Sequence, residues 1–185
     1  MLAQLGETDS AAVARGLDYL RRTQLADGSW YGRWGLNYIY GTWSVLCALN
    51  ACGIDHGAPE IHRAVSWLVS IQNSDGGWGE DGSSYKLDYR GYETSPSTAS
   101  QTAWALLGMM AAGEVGHRSV ERGVRYLLST QSADGFWDEE RFTATGFPRV
   151  FYLRYHGYRK FFPLWALARY RNLLEDKNGR VPFGM

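Results

Sequence analysis

Four aromatic residues, Phe147, Phe151, Tyr155 and Tyr158, follow one another at steps of four, four and three. That spacing predicts a single helical face. If the face lines a cavity it is a wall of π density, and a ring held over a cation in a desolvated site contributes on the order of 2 kcal/mol or more. Such a wall suits chemistry in which positive charge migrates along a bound molecule. An aromatic row at helical spacing also serves ordinary core packing, and spacing alone leaves both readings open. Eight Trp and twelve Tyr in 185 residues are the anomaly of the composition, because aromatic side chains at this density line something or staple something.

Other chemistries have less support. His56 and His62 flank a helix start, His117 precedes another, and His156 sits beside Tyr155. None forms a His-x-x-x-His pair, so no metal site is expected. There is no Gly-x-Ser-x-Gly elbow and no phosphate loop. Cys47 and Cys52 lie five apart on what reads as one helix, so they point to different faces. They suit neither a disulfide nor a metal pair and read as core thiols of a cytosolic protein. Lys+Arg and Asp+Glu balance at 19 each, which leaves no global field to gather nucleic acid or anionic lipid. No apolar run is long enough to span a bilayer, and the N-terminus lacks the basic-then-apolar pattern of a signal peptide. The length and the 45% apolar content fit one domain, or one part of a larger one, over residues 1–185.

The elements that must position these residues are organised around a repeated turn. Residues 72–78 read Gln-Asn-Ser-Asp-Gly-Gly-Trp, with close copies at 24–30 and 131–137. Each copy has the same helical lead: Arg15-Gly16 with Tyr19-Leu20, Arg63-Ala64 with Trp67-Leu68, Arg122-Gly123 with Tyr126-Leu127. The repeats therefore occupy residues 15–30, 63–78 and 122–137. Gly28, Gly76 and Gly135 give the backbone freedom for a tight turn, and Asp27, Asp75 and Asp134 can close Asx-turns on their own backbone. The amides of Gln24, Gln72 and Gln131 and the rings of Trp30, Trp78 and Trp137 then staple helix end to helix start. Recurrence at equivalent places favours structural use over catalysis, since an active site normally occurs once.

Six helices are expected. The first runs from an N-cap at Asp9-Ser10 to Gln24, the second from Trp34 to Cys52, and the third from Pro59 to Gln72. A Gly-rich polar crossing from Trp78 to Ser95 leads to the fourth, capped by Ser97 or Thr98, and the fifth spans about Ser119 to Gln131. The sixth starts near Pro148 and passes Tyr170, with Pro163 expected to break or restart it. Helices one, three and five are amphipathic and end in the motif, while two, four and six are more apolar. With motif Gln residues 48 and 59 apart, the pattern predicts an all-α fold: a curved α/α toroid with an inner and an outer ring. Three helical pairs make about half of a six-pair ring, to be completed by further chain or by a partner. Residues 172–185 read as polar continuation past the domain.

The pattern Arg-(Gly/Ala)-x-x-aromatic-Leu-x-x-x-Gln-x-x-Asp-Gly-x-Trp resembles the QW repeat of triterpene cyclases. Two further stretches sharpen the resemblance: Trp30-Tyr31-Gly32-Arg33-Trp34-Gly35 with Asn37-Tyr38-Ile39-Tyr40-Gly41, and Thr145-Gly146-Phe147-Pro148 leading into Phe151-Tyr152-Leu153. The Gly-Phe-Pro and Phe-Tyr-Leu elements look like the bacterial squalene-hopene branch. The resemblance covers nearly all of residues 10–172 and implies the C-terminal part of a longer cyclase, part of an α6/α6 barrel. It matches Phe147 and Phe151 to the family's cation-stabilising phenylalanines, and Leu153, Tyr155 and Tyr158 to neighbouring positions that shape the pocket. Trp34 matches a cavity-lining Trp, with a second turn staple as its other reading. Tyr40 matches a Tyr whose hydroxyl supports the hydrogen bonds of the catalytic acid.

The family's protonating Asp-x-Asp-Asp motif occurs nowhere in the chain, and Asp138-Glu139-Glu140 is no substitute. No catalytic residue and no cofactor are therefore assigned here. By resemblance the full enzyme is an isomerase that cyclises squalene to hopene, with a water-terminated alcohol as second product, for hopanoid biosynthesis. Its implied partners are squalene or a similar polyprene, the remaining N-terminal part of the cyclase, and the cytoplasmic face of the membrane as a monotopic enzyme. A homodimer is allowed. The rivals are an oxidosqualene or diterpene cyclase on the same scaffold, and a non-catalytic α/α repeat module that binds an apolar ligand or partner. The isolated chain is expected to be inactive, an expectation that hopene formation from squalene by this chain alone would overturn.

Overall fold

A computed structural model of the chain describes residues 2–85 and 91–175. These are mostly helical, with two short antiparallel strand pairs that the all-α expectation lacked. In order they form α1 (Ala11–Thr23), α2 (Tyr38–Ala51), α3 (Pro59–Ser70), β1 (Trp78–Glu80), β2 (Thr94–Thr98), α4 (Ala99–Ala111), α5 (Arg118–Thr130), β3 (Ala144–Phe147), β4 (Phe151–Leu153) and α6 (Tyr158–Glu175). The core is centred on α4, every residue of which is buried. It packs mainly against α2 and α6, then α5, and more lightly α3. The outer helices lay narrow stripes on this layer: Ile61, Ala64, Val65 and Leu68 from α3, and Val120, Gly123, Val124 and Leu127 from α5. Both stripes follow the i, i+3, i+4, i+7 rule of an amphipathic helix.

The repeated turn does the same work three times. The indole N–H groups of Trp30, Trp78 and Trp137 donate to the carbonyls of Leu20, Leu68 and Leu127 at 2.7, 2.8 and 2.8 Å. Those carbonyls lie in the last turns of α1, α3 and α5, where intrahelical donors run out. The amides of Gln24, Gln72 and Gln131 donate to the carbonyls of Gly28, Gly76 and Gly135 at 2.9, 2.7 and 2.8 Å. Two of them reach further, Gln24 to the Glu60 carbonyl at 2.8 Å and Gln72 to that of Ser119 at 2.9 Å. These two turns are thus tied to the first turns of α3 and α5. Asp27, Asp75 and Asp134 accept from the backbone N–H two residues on, as an Asx-turn requires. Gly28 and Gly76 are needed twice over: both have positive φ, and a Cβ would meet the Arg63 or Arg122 carbonyl at 2.5 or 2.7 Å.

Helix starts follow a second rule. Ser10 and Thr98 cap α1 and α4 with their side chains, as expected. The first N–H groups of α2 instead meet the carboxylate of Glu80, which accepts from Asn37, Tyr38 and Ile39 at 3.1 to 3.2 Å. Glu139 serves α4, accepting from the Ser100 N–H and hydroxyl at 2.8 Å each. Gln101, fully buried, donates to the carbonyls of Leu36 at 3.2 Å and Glu80 at 2.8 Å, and its oxygen accepts from the Glu80 N–H at 3.0 Å. β1, the start of α2 and the start of α4 are therefore one hydrogen-bonded unit.

Three expectations about element limits are corrected. The second helix starts at Tyr38, not Trp34. Gly35 forms an antiparallel bridge with Ala144, the Leu36 N–H donates to the Thr143 carbonyl, and the Thr145 N–H donates to the Trp34 carbonyl, both at 3.0 Å. The sixth helix starts at Tyr158, not near Pro148, and Pro163 lies inside it without ending it. A proline this close to the helix start removes one intrahelical bond and the rest of the ladder continues. Residues 144–153 form the β3–β4 hairpin, turned at Pro148 and Arg149, where Arg149 has φ 69° and the Val150 N–H donates to the Phe147 carbonyl at 3.0 Å. Helix α6 also runs to Glu175 with Leu173 buried, so residues 172–175 belong to the packed structure, while the rest of the expected continuation lies outside the described residues. Cys47 is buried but Cys52 only half-buried, and both are free.

Two stability predictions follow from these contacts. Gln72→Ala breaks two bonds at a half-buried position and is expected to cost about 1–2 kcal/mol, whereas Gln131→Ala, exposed with one described bond, should cost less than about 1 kcal/mol. Urea unfolding of the two variants checks the order. Burial raises the Glu80 carboxyl to about 7, against the three N–H bonds that lower it. Between its ordinary 4.5 and about 7 the folded state holds more protons than the unfolded one, so the Glu80 contribution to stability falls as pH rises through this window and is level above it. The unfolding free energy of the chain minus that of its Glu80→Gln variant, measured from pH 5 to 8, should decline towards pH 7 and then flatten.

Candidate functional site

The four aromatic residues of the expected helical face share no helix. Phe147 ends β3, Phe151 opens β4, Tyr155 follows the hairpin, and Tyr158 begins α6. The hairpin nevertheless gathers the first two: their ring centroids are 5.7 Å apart in an edge-to-face pair. Gly146 permits this, because a Cβ there would meet the Phe151 ring at 2.0 Å. Phe147 and Phe151 remain about half exposed, at 54% and 45%. Rings of this size left open to solvent are a surface that something else covers or uses.

Trp34 stands on the loop that bridges to the same hairpin. It is 55% exposed, with the Arg33 guanidinium over its ring at 5.1 Å. Trp30, at 3%, is the residue that staples the first turn, so the alternative reading of Trp34 as a second staple finds no counterpart in its packing. The bridge continues into a ladder: Gly35 pairs with Ala144, and Ala144 pairs with Leu153. Gly35 also lies directly against the Tyr40 ring, where a Cβ would be 2.1 Å from Cδ2. Trp34, Leu153, Phe151 and Tyr40 are thereby held around one short stretch of paired backbone.

The second group lies at the starts of the apolar helices. Tyr155 and Tyr158 have centroids 4.9 Å apart. Tyr158 and Tyr40 both pack edge-to-face on Trp104, at 5.7 and 5.0 Å. Trp104 is fully buried and stacks on Trp43, 6.0 Å away with planes 5° apart, and Phe162 meets both edge-on at 5.5 Å. Burial raises the phenols of Tyr40 and Tyr158, the latter also through its neighbours Tyr40 and Tyr155, so both stay protonated donors at ordinary pH.

The two buried glutamates that follow motif tryptophans do other work. Glu80 and Glu139 are buried in the helix-start bonds described above, and burial raises both. Among the described residues no group of His, Cys, Asp and Glu is placed to hold a metal ion. Cys47 sits in the core with its thiol pushed up to about 12 by burial, which leaves it unreactive. The arrangement offers π faces, an aliphatic side chain and phenol hydroxyls, with no strong acid of its own.

Sequence reasoning missed Trp104, Trp43, Glu80, Glu139 and Gln101. A signal existed for the glutamates, since both stand two residues after a motif Trp, but their partners are about forty residues away in the chain. Trp104 lay in a helix apolar on all sides, where periodicity marks no face.

Residues 1–172 match the family described as the squalene-hopene cyclase C-terminal domain. The probable squalene-hopene cyclase of Sinorhizobium fredii is 75% identical over 175 residues, covering 94% of this chain and 27% of that protein. The squalene-hopene cyclase of Bradyrhizobium diazoefficiens is 68% identical over 187 residues, covering 100% of this chain and 28% of that protein. The lanosterol synthase of Mus musculus is 40% identical over 167 residues, covering 88% and 22%. The chain thus spans about a quarter of the length of these relatives, and it corresponds to their C-terminal part. With a family match over nearly its whole length, the chain belongs to the squalene-hopene cyclases, a family of intramolecular cyclases, as their C-terminal domain.

Proposed function

We propose that this chain supplies part of the cavity wall in a cyclase that converts squalene to hopene, with hopanol as the water-terminated product. The observation that carries the reading is the set of half-exposed rings Trp34, Phe147 and Phe151, grouped on paired backbone beside Leu153 and Tyr40. Polyene cyclisation moves a carbocation along a folded chain and needs a dry, electron-rich surface that does not trap it. Phe147 and Phe151 stabilise the cation, and Trp34, Leu153, Tyr155 and Tyr158 shape the pocket. Tyr40 supports, through its hydroxyl, an acid that the remaining N-terminal part of the enzyme provides. Residues 1–185 then form one domain portion of three helical hairpins in an α6/α6 toroid, inactive in isolation and completed by that remaining part. In the same reading the enzyme takes squalene from the membrane surface as a peripheral protein. No described helix is long and apolar enough to cross a membrane.

The test is made in the cyclase that carries this segment together with the remaining part. Phe151→Ala removes one cation–π contact and is expected to slow cyclisation by about 2 kcal/mol, roughly thirtyfold, and to raise the share of incompletely cyclised products. Unchanged rates and products in both Phe147→Ala and Phe151→Ala would exclude the wall. Products with squalene and with oxidosqualene as alternative substrates separate this reading from a sterol-type cyclase.

A further inference from the structure

The Trp34 loop is tied down by a buried residue that none of the cyclisation chemistry uses. Tyr85 is 2% exposed, and its hydroxyl lies 2.8 Å from the Gly32 carbonyl, 3.0 Å from that of Gly35 and 3.3 Å from that of Arg33. One phenol hydrogen is shared among three carbonyls that wrap around it. The Trp34 carbonyl accepts from the Thr145 N–H and the Leu36 carbonyl from Gln101, so three donors serve the five carbonyls of residues 32–36. The backbone beneath Trp34 is held from three sides while its ring stands open.

The Tyr85 ring makes a second link. It stacks on Tyr152 with centroids 6.3 Å apart, and Tyr152 lies between Phe151 and Leu153 on β4. The Tyr152 hydroxyl returns a bond to the Gly82 carbonyl at 3.1 Å, and its ring covers Gly82, where a Cβ would meet it at 2.5 Å. Tyr31 packs edge-on against Tyr85 at 5.7 Å. Burial holds the phenol protonated at all ordinary pH, so the donor is permanent.

We propose that Tyr85 is a positioning residue, which sets the placement of Trp34 relative to Phe151 and Leu153 by holding the Trp34 loop with its hydroxyl and the hairpin with its ring. Its catalytic meaning rests on the reading of that patch as a cavity wall; its structural meaning does not. Groups that bind a reacting molecule work only when held by surrounding bonds, and small displacements of such groups lower rate out of proportion to their size.

The chain carrying 5-fluorotryptophan has eight ¹⁹F resonances, one per Trp, and Trp34→Phe identifies that of Trp34. Tyr85→Phe keeps the ring and removes the hydroxyl. It is expected to retain the helical circular dichroism and to shift or broaden the Trp34 resonance. Tyr92→Phe is the control: its hydroxyl donates to the Gly79 carbonyl at 2.9 Å and its ring packs on Trp67 at 5.7 Å, so it should disturb Trp67 and leave Trp34 in place. A Trp34 resonance unmoved by Tyr85→Phe overturns the proposal. Should Tyr85→Phe fail to fold, Tyr152→Leu at a half-buried position makes the same test from the hairpin side, and again an unmoved Trp34 overturns it. In the cyclase with its remaining part, Tyr85→Phe should lower kcat by up to about tenfold with KM little changed and increase incompletely cyclised product. Loss of active enzyme without any change in product ratio would reduce Tyr85 to a merely structural role. If the unaltered enzyme cyclises nothing, the proposed function fails while the ¹⁹F result stands by itself.

Discussion

The interaction on which this structure depends is the bond from a tryptophan indole to a carbonyl ten residues earlier, at the end of an outer helix. A helix that ends in a protein interior leaves carbonyls without donors, and each one left unmatched is costly. The repeated turn answers this with a rigid donor that also fills space, and its glutamine and aspartate close the remaining gaps. At their starts, where N–H groups lack acceptors, α2 and α4 use glutamates that follow the motif tryptophans. Packing around α4 is therefore set by polar groups as much as by its apolar surface: an all-buried helix is tolerable only because its neighbours satisfy its ends.

The turns and outer helices could be read from the amino-acid order because everything that determines them is local. Gln, Asp, Gly and Trp lie within seven residues, and the helical lead repeats with them. The start of α4 was legible to within one residue, at Ser97 or Thr98, as a hydroxyl cap needs only the next few residues. The hairpin was not. Steps of four, four and three coincide with a helical period, yet Gly146, Pro148 and the left-handed Arg149 favour a turn between Phe147 and Phe151. Propensity lost to pairing with Trp34 and Leu36, more than a hundred residues away in the chain, which no window of sequence contains.

The candidate site shows the same division. The grouping of Phe147, Phe151, Trp34 and Tyr40 was read from resemblance, and what brings their loop and hairpin side by side is a bridge between residues 35 and 144. Composition gave the excess of aromatics but not their sorting into two kinds. Trp43 and Trp104 form a buried stack with the half-buried Phe162 edge-on to both, while Trp34, Phe147 and Phe151 remain open. Tyr40 and Tyr158 pack on the buried pair and are themselves only half-buried, and Tyr40 also lies against Gly35 of the Trp34 loop.

The bonded carbonyls under Trp34 have a consequence for how such a surface responds to substitution. Because the loop is held through its backbone, its shape does not depend on which side chain stands at the exposed position. Substitution there alters what the surface presents without drawing on the stability of the fold. The chemistry of the surface at Trp34 and the shape of the loop beneath it are thus set by different atoms, the one by an open ring and the other by main-chain carbonyls.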